Sequence, residues 1–278
     1  MTSPFRFGTV GSPISTPKKP GGSVGAIQQL RSLGLDALEL GWVQSVRVSE
    51  ETCQAIKKES TNLDVAISVH APYFINLNAN DEEWPKSRKR LMDASCYGNL
   101  AGATDIIFHP GSYFEQPASE VLAKAIPRLE ECVRELRDAG NQVTLRPETM
   151  GKSAMLGSLE DTLEMSKNIP GVLPCIDFAH LHARSAGKLN TSEEWLSLID
   201  LIDKTLGADV LKKMHIHLSG IEYSEKGERN HLPIKESDFN LIELLKVLKT
   251  TGCSGRIMCE SPIMEDDALY IQEMMMQV

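Results

Sequence analysis

The sequence predicts a single α/β domain over residues 1–278, built as a (β/α)8 or TIM barrel, and three observations carry that expectation. The length suits one such barrel, which typically takes about 250 residues. Eight short β-rich runs alternate with amphipathic helical patterns along the whole chain, an order that gives parallel strands covered by helices. Residues able to carry chemistry fall at the ends of those runs. A doubly wound open sheet would alternate in the same way, but no G-x-G-x-x-G follows the first run.

The first strand is read at Arg6–Val10, and the Pro/Gly/Lys-rich stretch Gly11–Gly22 as a long loop after it. The second, Ala37–Leu40, follows a helix that stops at Gly34, where a left-handed residue ends a helix without strain. The third, Asp64–His70, ends in a histidine, and Asn76–Ser87 is its loop. The fourth is Asp105–His109. Val121–Gly140 is then helical, with Leu122, Ile126, Leu129, Cys132, Val133 and Leu136 on one face. The fifth strand, Gln142–Pro147, leads to Glu148, and the sixth, Leu173–Phe178, contains Asp177. Thr191-Ser-Glu-Glu194 is a capping box that opens the next helix, and Gly207 ends it. The seventh strand, Met214–Ser219, carries two histidines. Gly252 ends the helix before the eighth, Arg256–Glu260. No domain boundary, low-complexity tract or long-period repeat interrupts the alternation.

Hydrophobic residues make up 41% and charged residues 24%, enough apolar material for a sizeable core. No apolar run approaches the roughly 20 residues that cross a bilayer. Met1-Thr-Ser-Pro-Phe-Arg6 lacks the apolar stretch of a signal peptide, so a cytoplasmic protein with no membrane partner is expected. Six cysteines are scattered with no C-x-x-C pair and read as core filler. A net charge of −9 argues against broad attraction to nucleic acid. It leaves room for a local site in which cations cancel clustered carboxylates.

All seven histidines (His70, His109, His180, His182, His215, His217 and His231) lie in or just after strands three, four, six and seven, none within an expected helix. Strands five and eight end in Glu148 and Glu260. These ends converge on the barrel face where active sites sit. One strand-end histidine alone is ordinarily a hydrogen-bonded rim residue. Six strand ends offering His, Asp or Glu are different, because gathered imidazoles and carboxylates repel or stay unsatisfied unless a cation holds them. Mixed ligation without cysteine suits Zn2+, Mn2+ or Fe2+, and a carboxylate can bridge two ions. His215 and His217 point to the same side of their strand. His217, nearer the C-terminal end, is the preferred ligand, and His215 lies a layer deeper. His182 is read as a support for the ligands.

Six segments share an order and spacing: His70-Ala-Pro-Tyr-Phe-Ile-Asn-Leu77, Phe108-His-Pro-Gly-Ser112, Glu148-Thr-Met-Gly151, Asp177-Phe-Ala-His180, His217-Leu-Ser-Gly220 and Glu260-Ser-Pro262. Together they resemble the endonuclease IV family of abasic-site endonucleases, among the xylose-isomerase-like barrels. The resemblance implies a cluster of two or three zinc ions. By it, His70 and His109 hold one ion, and Glu148, the central catalytic residue, bridges to a second. Asp177, His217 and Glu260 complete the second, and His180 and His231 hold a third. Tyr73 matches the family's residue beside the damaged site and is the substrate-binding candidate. In such enzymes the ions bind the scissile phosphate and supply the attacking hydroxide. The implied partner is damaged duplex DNA, cut 5′ to an abasic site in base-excision repair.

The sequence also departs from that family. Its third-ion ligands usually come as Asp-x-His, but two residues before His231 stands Arg229; Glu228, one residue further back, is the candidate instead. Phe7-Gly-Thr-Val-Gly-Ser-Pro13 stands where the family has Gly-x-His-x-Ser, and Gly41-Trp-Val-Gln-Ser-Val-Arg47 where it has Asn-Pro-Arg. Lys18, Lys19, Lys86, Arg88, Lys89 and Arg90 are either phosphate contacts or a solvated surface. The alternative function is a metal-dependent sugar isomerase or epimerase of the same barrel type. Those enzymes also use residues placed like Glu148, Asp177, His180, His217 and Glu260. They generally lack counterparts of His70, His109-Pro-Gly-Ser112 and a histidine after strand seven. A non-catalytic binder of metal or damaged DNA is the third reading.

Overall fold

Strands form where short β-branched and apolar runs are bounded by glycine, proline or caps, and helices where apolar residues recur every three to four positions. In the computed structural model, which describes residues 3–278, β1 (Phe5–Val10) leads through the long loop to α1 (Gly22–Ser32), and β2 (Ala37–Gly41) to α2 (Glu50–Leu63). Met1 and Thr2, part of the N-terminal stretch read above, lie outside the described residues. There follow β3 (Ala66–His70), α3 (Trp84–Leu100), β4 (Asp105–Phe108), α4 (Ala118–Asp138), β5 (Thr144–Pro147) and α5 (Leu159–Asn168). β6 (Cys175–Asp177) runs straight into α6 (Phe178–Arg184), then α7 (Ser192–Leu206) and α8 (Ala208–Leu211). β7 (Met214–Leu218) is followed by a hairpin, β8 (Gly220–Ser224) and β9 (Gly227–Leu232), then α9 (Leu241–Thr250), β10 (Gly255–Cys259) and α10 (Glu265–Gln277).

Eight of these strands are parallel, in the order β5-β4-β3-β2-β1-β10-β7-β6. β5 and β6 close the ring through bridges at Leu145–Val172 and Glu148–Cys175, and the Thr149 amide donates to the Cys175 carbonyl at 3.0 Å. The expected (β/α)8 barrel is the fold. β1 and β2 approach closely at Gly8, where a Cβ would sit 1.8 Å from the Ala37 carbonyl oxygen. Only glycine fits there.

The helices bury their apolar stripes against the strands, as with Leu129, Cys132, Val133 and Leu136 of α4. Gly34, Gly140, Gly207 and Gly252 all take positive φ where helices end. The Thr191–Glu194 capping box forms as read. No helix among the described residues is long and apolar enough to cross a membrane.

Four expectations need correction. The third strand does not begin at Asp64, which ends α2 in the left-handed conformation (φ 51°). The sixth strand stops at Asp177, because Asp177 Oδ1 accepts from the His180 amide at 2.7 Å and caps α6 at once. His180 and His182 therefore lie in a helix after all. The β8–β9 hairpin was not expected, since a half-solvated ribbon rich in Glu, Lys, Arg and Asn lacks an apolar alternation. Cys96 is exposed on α3, whereas the other five cysteines are buried as core filler should be.

The barrel interior is polar in layers. At the floor, Asp105 meets Arg146 at 2.5 Å and Arg256 at 3.2 Å. Glu39, Ser68 and His215 lie above, all buried, and the histidines and carboxylates of the strand ends lie above them.

Candidate metal centre

His70 closes β3, His109 follows β4 and Glu148 follows β5. His70 Nε2 and His109 Nε2 each lie 3.3 Å from Glu148 Oε2. His70 Nδ1 donates to the Ala71 carbonyl at 2.9 Å. A carbonyl only accepts, so the proton of neutral His70 sits on Nδ1 and Nε2 is a lone pair aimed at a carboxylate oxygen.

The other oxygen, Glu148 Oε1, turns toward His217 Nδ1 at 3.2 Å and His180 Nδ1 at 3.4 Å. Each oxygen thus faces its own pair of imidazoles, the disposition of a bridging carboxylate. Arg146 does not pair with it. That guanidinium points to the floor, toward Asp105 and the carbonyls of Pro174 and Lys213. His217 Nδ1 also lies 3.5 Å from Glu260 Oε1. Asp177 spends one oxygen on the α6 cap, and its other, Oδ2, is buried with no hydrogen-bond partner among the described residues. Glu148, Asp177, His217 and Glu260 offer donor atoms all within 4.8 Å of one another, as do His70, His109 and Glu148.

A third group forms around His180 and His231. His180 Nδ1 donates to the Thr149 carbonyl at 2.9 Å, and His231 Nδ1 to the Glu260 carbonyl at 3.1 Å. In neutral rings both Nε2 atoms are then lone pairs, and they face each other 3.3 Å apart. Two nitrogens bound to one tetrahedral ion at about 2.0–2.1 Å would stand about that far apart. Asp177 and Glu260 complete this group within 4.8 Å. Glu228 Oε2 lies 3.6 Å from His180 Nε2.

The hairpin explains how Glu228 reaches the site in place of residue 229. Tyr223 pairs with Glu228 but Glu222 pairs with Asn230, so Arg229 is an extra residue in β9. Residues three apart in a regular strand face opposite sides; one bulged residue returns Glu228 and His231 to the same side. Arg229 turns out to solvent, 3.3 Å from Glu222. Gly151 makes room, since a Cβ there would lie 2.6 Å from the Glu228 Cβ.

Electrostatics carry the same signature. Burial works against a charged His70, yet its contact with Glu148 holds the imidazole up at about 8. Burial is likewise overridden at His180, held well above the ordinary histidine range by Asp177 and Glu148. Burial pushes Asp177 up to about 6. Glu260 is held down at about 2, mostly by His217, against its own burial. Protons are thus drawn to the histidines where no other cation is present. The orphaned carboxylate oxygens, the opposed lone pairs and the oxygen–nitrogen donor set fit divalent ions of the Zn2+, Mn2+ or Fe2+ kind.

The centre opens into a cavity of about 420 Å3 lined by Tyr73, Met150, Lys152 and Met155 as well as the donors. Tyr73 stacks on His109 with ring centroids 4.9 Å apart, and its side is open at the mouth (46% exposed). His182 does not reach the donors. It is buried between the Leu189 carbonyl and Asp238 Oδ1, which is 3.0 Å away, and Tyr223 of β8 donates to the same Asp238. It thereby braces α6 against the hairpin. His215 lies a layer deeper, as read, 2.8 Å from Glu39. Glu39 was missed; its signal was a lone charge in the buried strand Ala37-Leu-Glu-Leu40. Of the basic residues, Lys86, Arg88 and Lys89 are paired with Glu83, Glu135 and Asp93, while Arg90 lies over the exposed Phe74 ring.

A family model described as xylose isomerase-like TIM barrel matches residues 27–277. The chain is 38% identical over 268 residues to the uncharacterized protein MJ0133 of Methanocaldococcus jannaschii, covering 96% of this chain and 95% of that one. It is 27% identical over 208 residues to endonuclease 4 of Thermus thermophilus, covering 70% and 71%. Among solved structures, an endonuclease IV from Thermus thermophilus superposes with a TM-score of 0.74 at 21% identity, covering 98% of each chain. A D-tagatose 3-epimerase-like protein superposes with a TM-score of 0.71 at 22% identity, covering 92% of this chain and 94% of that one. These two likenesses establish the fold alone. The family model and the full-length relative establish more: this chain belongs to the xylose isomerase-like TIM barrel family.

Proposed function

We propose that the chain, acting as one domain, is a metal-dependent phosphodiesterase that cuts duplex DNA on the 5′ side of abasic sites. The observation that carries the reading is the number of donors. Of four candidate donor groups among the described residues, three share Glu148, Asp177 and Glu260 and together use eight side chains, whereas one zinc ion takes about four ligands; the fourth, Cys175, His215 and His217, contains no carboxylate. In this reading His70, His109 and Glu148 would hold one ion, and Glu148, Asp177, His217 and Glu260 a second. His180, His231 and Glu228 would hold a third, with Asp177 and Glu260 beside it. Bound ions would lower the pKa of water toward 7 and offset charge building on the phosphate oxygens.

The chain's own side chains do the rest. Glu148 sets the spacing between the first two sites through its two oxygens. Tyr73, stacked on His109 at the mouth, fills the gap left by a missing base, because an abasic nucleotide has little stacking to lose when displaced. The relatives named endonuclease 4 support the same reading. The rival reading, a sugar isomerase or epimerase, draws on the epimerase-like structural neighbour and would need only the group Glu148, Asp177, His217 and Glu260. It leaves His70, His109 and His231 without a role.

The deciding assay offers metal-replete protein a labelled duplex with one abasic analogue, an intact duplex and a panel of ketoses. A cut 5′ to the lesion that leaves a 3′-hydroxyl is expected. Ketose turnover with no cut would overturn the proposal.

A further inference from the structure

Glu39 is the one charged side chain of β2, and none of it reaches solvent. A buried carboxylate persists only when its oxygens are satisfied, because desolvation costs several kcal/mol. Glu39 Oε2 accepts from Ser68 Oγ and from His215 Nε2, both at 2.8 Å. Its Oε1 lies 3.1 Å from His217 Nε2, and these two buried atoms face each other with no hydrogen-bond partner among the described residues. His217 therefore stands between carboxylates, with Glu39 at Nε2 and, at Nδ1, Glu148 at 3.2 Å and Glu260 at 3.5 Å.

A neutral imidazole has one N–H and one lone pair, and an ionised carboxylate only accepts. We infer that Glu39 is a positioning residue of the centre: it holds the His217 proton on Nε2 and so presents Nδ1 as the ligand atom. This inference rests on the metal reading above. Ser68 and His215 are the supports that keep Glu39 in place, which gives His215 a role that its depth alone did not suggest. Partners of this kind orient a ligand and raise its basicity, and losing one typically weakens metal binding by about 10–100-fold.

Glu39→Gln is the informative substitution. Its amide oxygen would be kept toward the Ser68 and His215 donors, so the NH2 group would face His217 Nε2. A donor there moves the histidine proton to Nδ1 and removes the lone pair from the ion. In zinc-loaded protein, 15N–1H correlation of the histidine rings reads which nitrogen carries the proton, and competition with a chelator reads the affinity of each ion. The expected result is one ion weakened by about 10–100-fold with the others unchanged, and loss of the His217 Nε2–H signal. Ser68→Ala, a smaller change, should weaken the same ion by less. If Glu39→Gln and Ser68→Ala keep every ion at wild-type affinity with the Nε2–H signal intact, the inference is wrong, even if both variants melt earlier. A Glu39→Gln chain that does not fold leaves the Ser68→Ala comparison to decide. Wild-type protein that binds no ion would instead defeat the metal reading itself.

Discussion

Glu148 touches four histidines, two through each oxygen, and removing its charge should disturb two ions at once. Glu148→Gln keeps the shape and loses the shared charge. Cleavage of the abasic duplex should fall by roughly a thousandfold, since several kcal/mol of charge stabilisation are at stake and each 1.36 kcal/mol is tenfold. Near-normal turnover at full metal occupancy would leave Glu148 a bystander. The gathering of candidate donors was legible because chemistry-bearing types recur at six successive strand ends, which a helix-covered barrel must bring together. Glu39 was less legible, because its partner His215 is 176 residues away in sequence and only the closed barrel makes them neighbours.

At the scale of elements, the eight barrel strands could be read because each is a short apolar run between caps or glycines. The β8–β9 hairpin could not, and neither could its bulge, since both faces of the ribbon are partly solvated and register leaves little trace in composition. Yet this ribbon brings Glu228 and His231 to the centre. Gly151→Ala should push it away, because the new Cβ would sit 2.6 Å from the Glu228 Cβ. Metal analysis of that variant is expected to show one ion fewer than wild type; an unchanged count would show that the hairpin carries no ion. Deleting Arg229 should do the opposite of what a shortened ligand loop suggests. Glu228 and His231 would become two apart in a regular strand and still share a face, so the count should hold.

For the whole molecule, protonation and the proposed metal binding would compete for the same side chains. His70, ordinarily near 6.5, is held at about 8 when only protons are present. A group raised on folding adds stability that is full below the unfolded value and lost as pH rises through the folded one. Metal-free chain should therefore lose stability between about pH 6.5 and 8 through His70, read as a falling melting temperature in chelator. Metal-loaded chain should not, and metal uptake should release protons and tighten as pH rises over the same range. The net charge of −9 adds a second consequence. Without cations the clustered carboxylates repel a phosphate backbone, so binding of an abasic duplex should weaken on metal removal, and loaded protein should show a shallow dependence on salt.

The central claim is a centre that holds several ions, and elemental analysis of protein purified without added metal reads it directly. More than one zinc, manganese or iron per chain is expected, approaching three after reconstitution, because the donors form three groups that share carboxylates. A value at or below one per chain, unchanged after reconstitution, would contradict it.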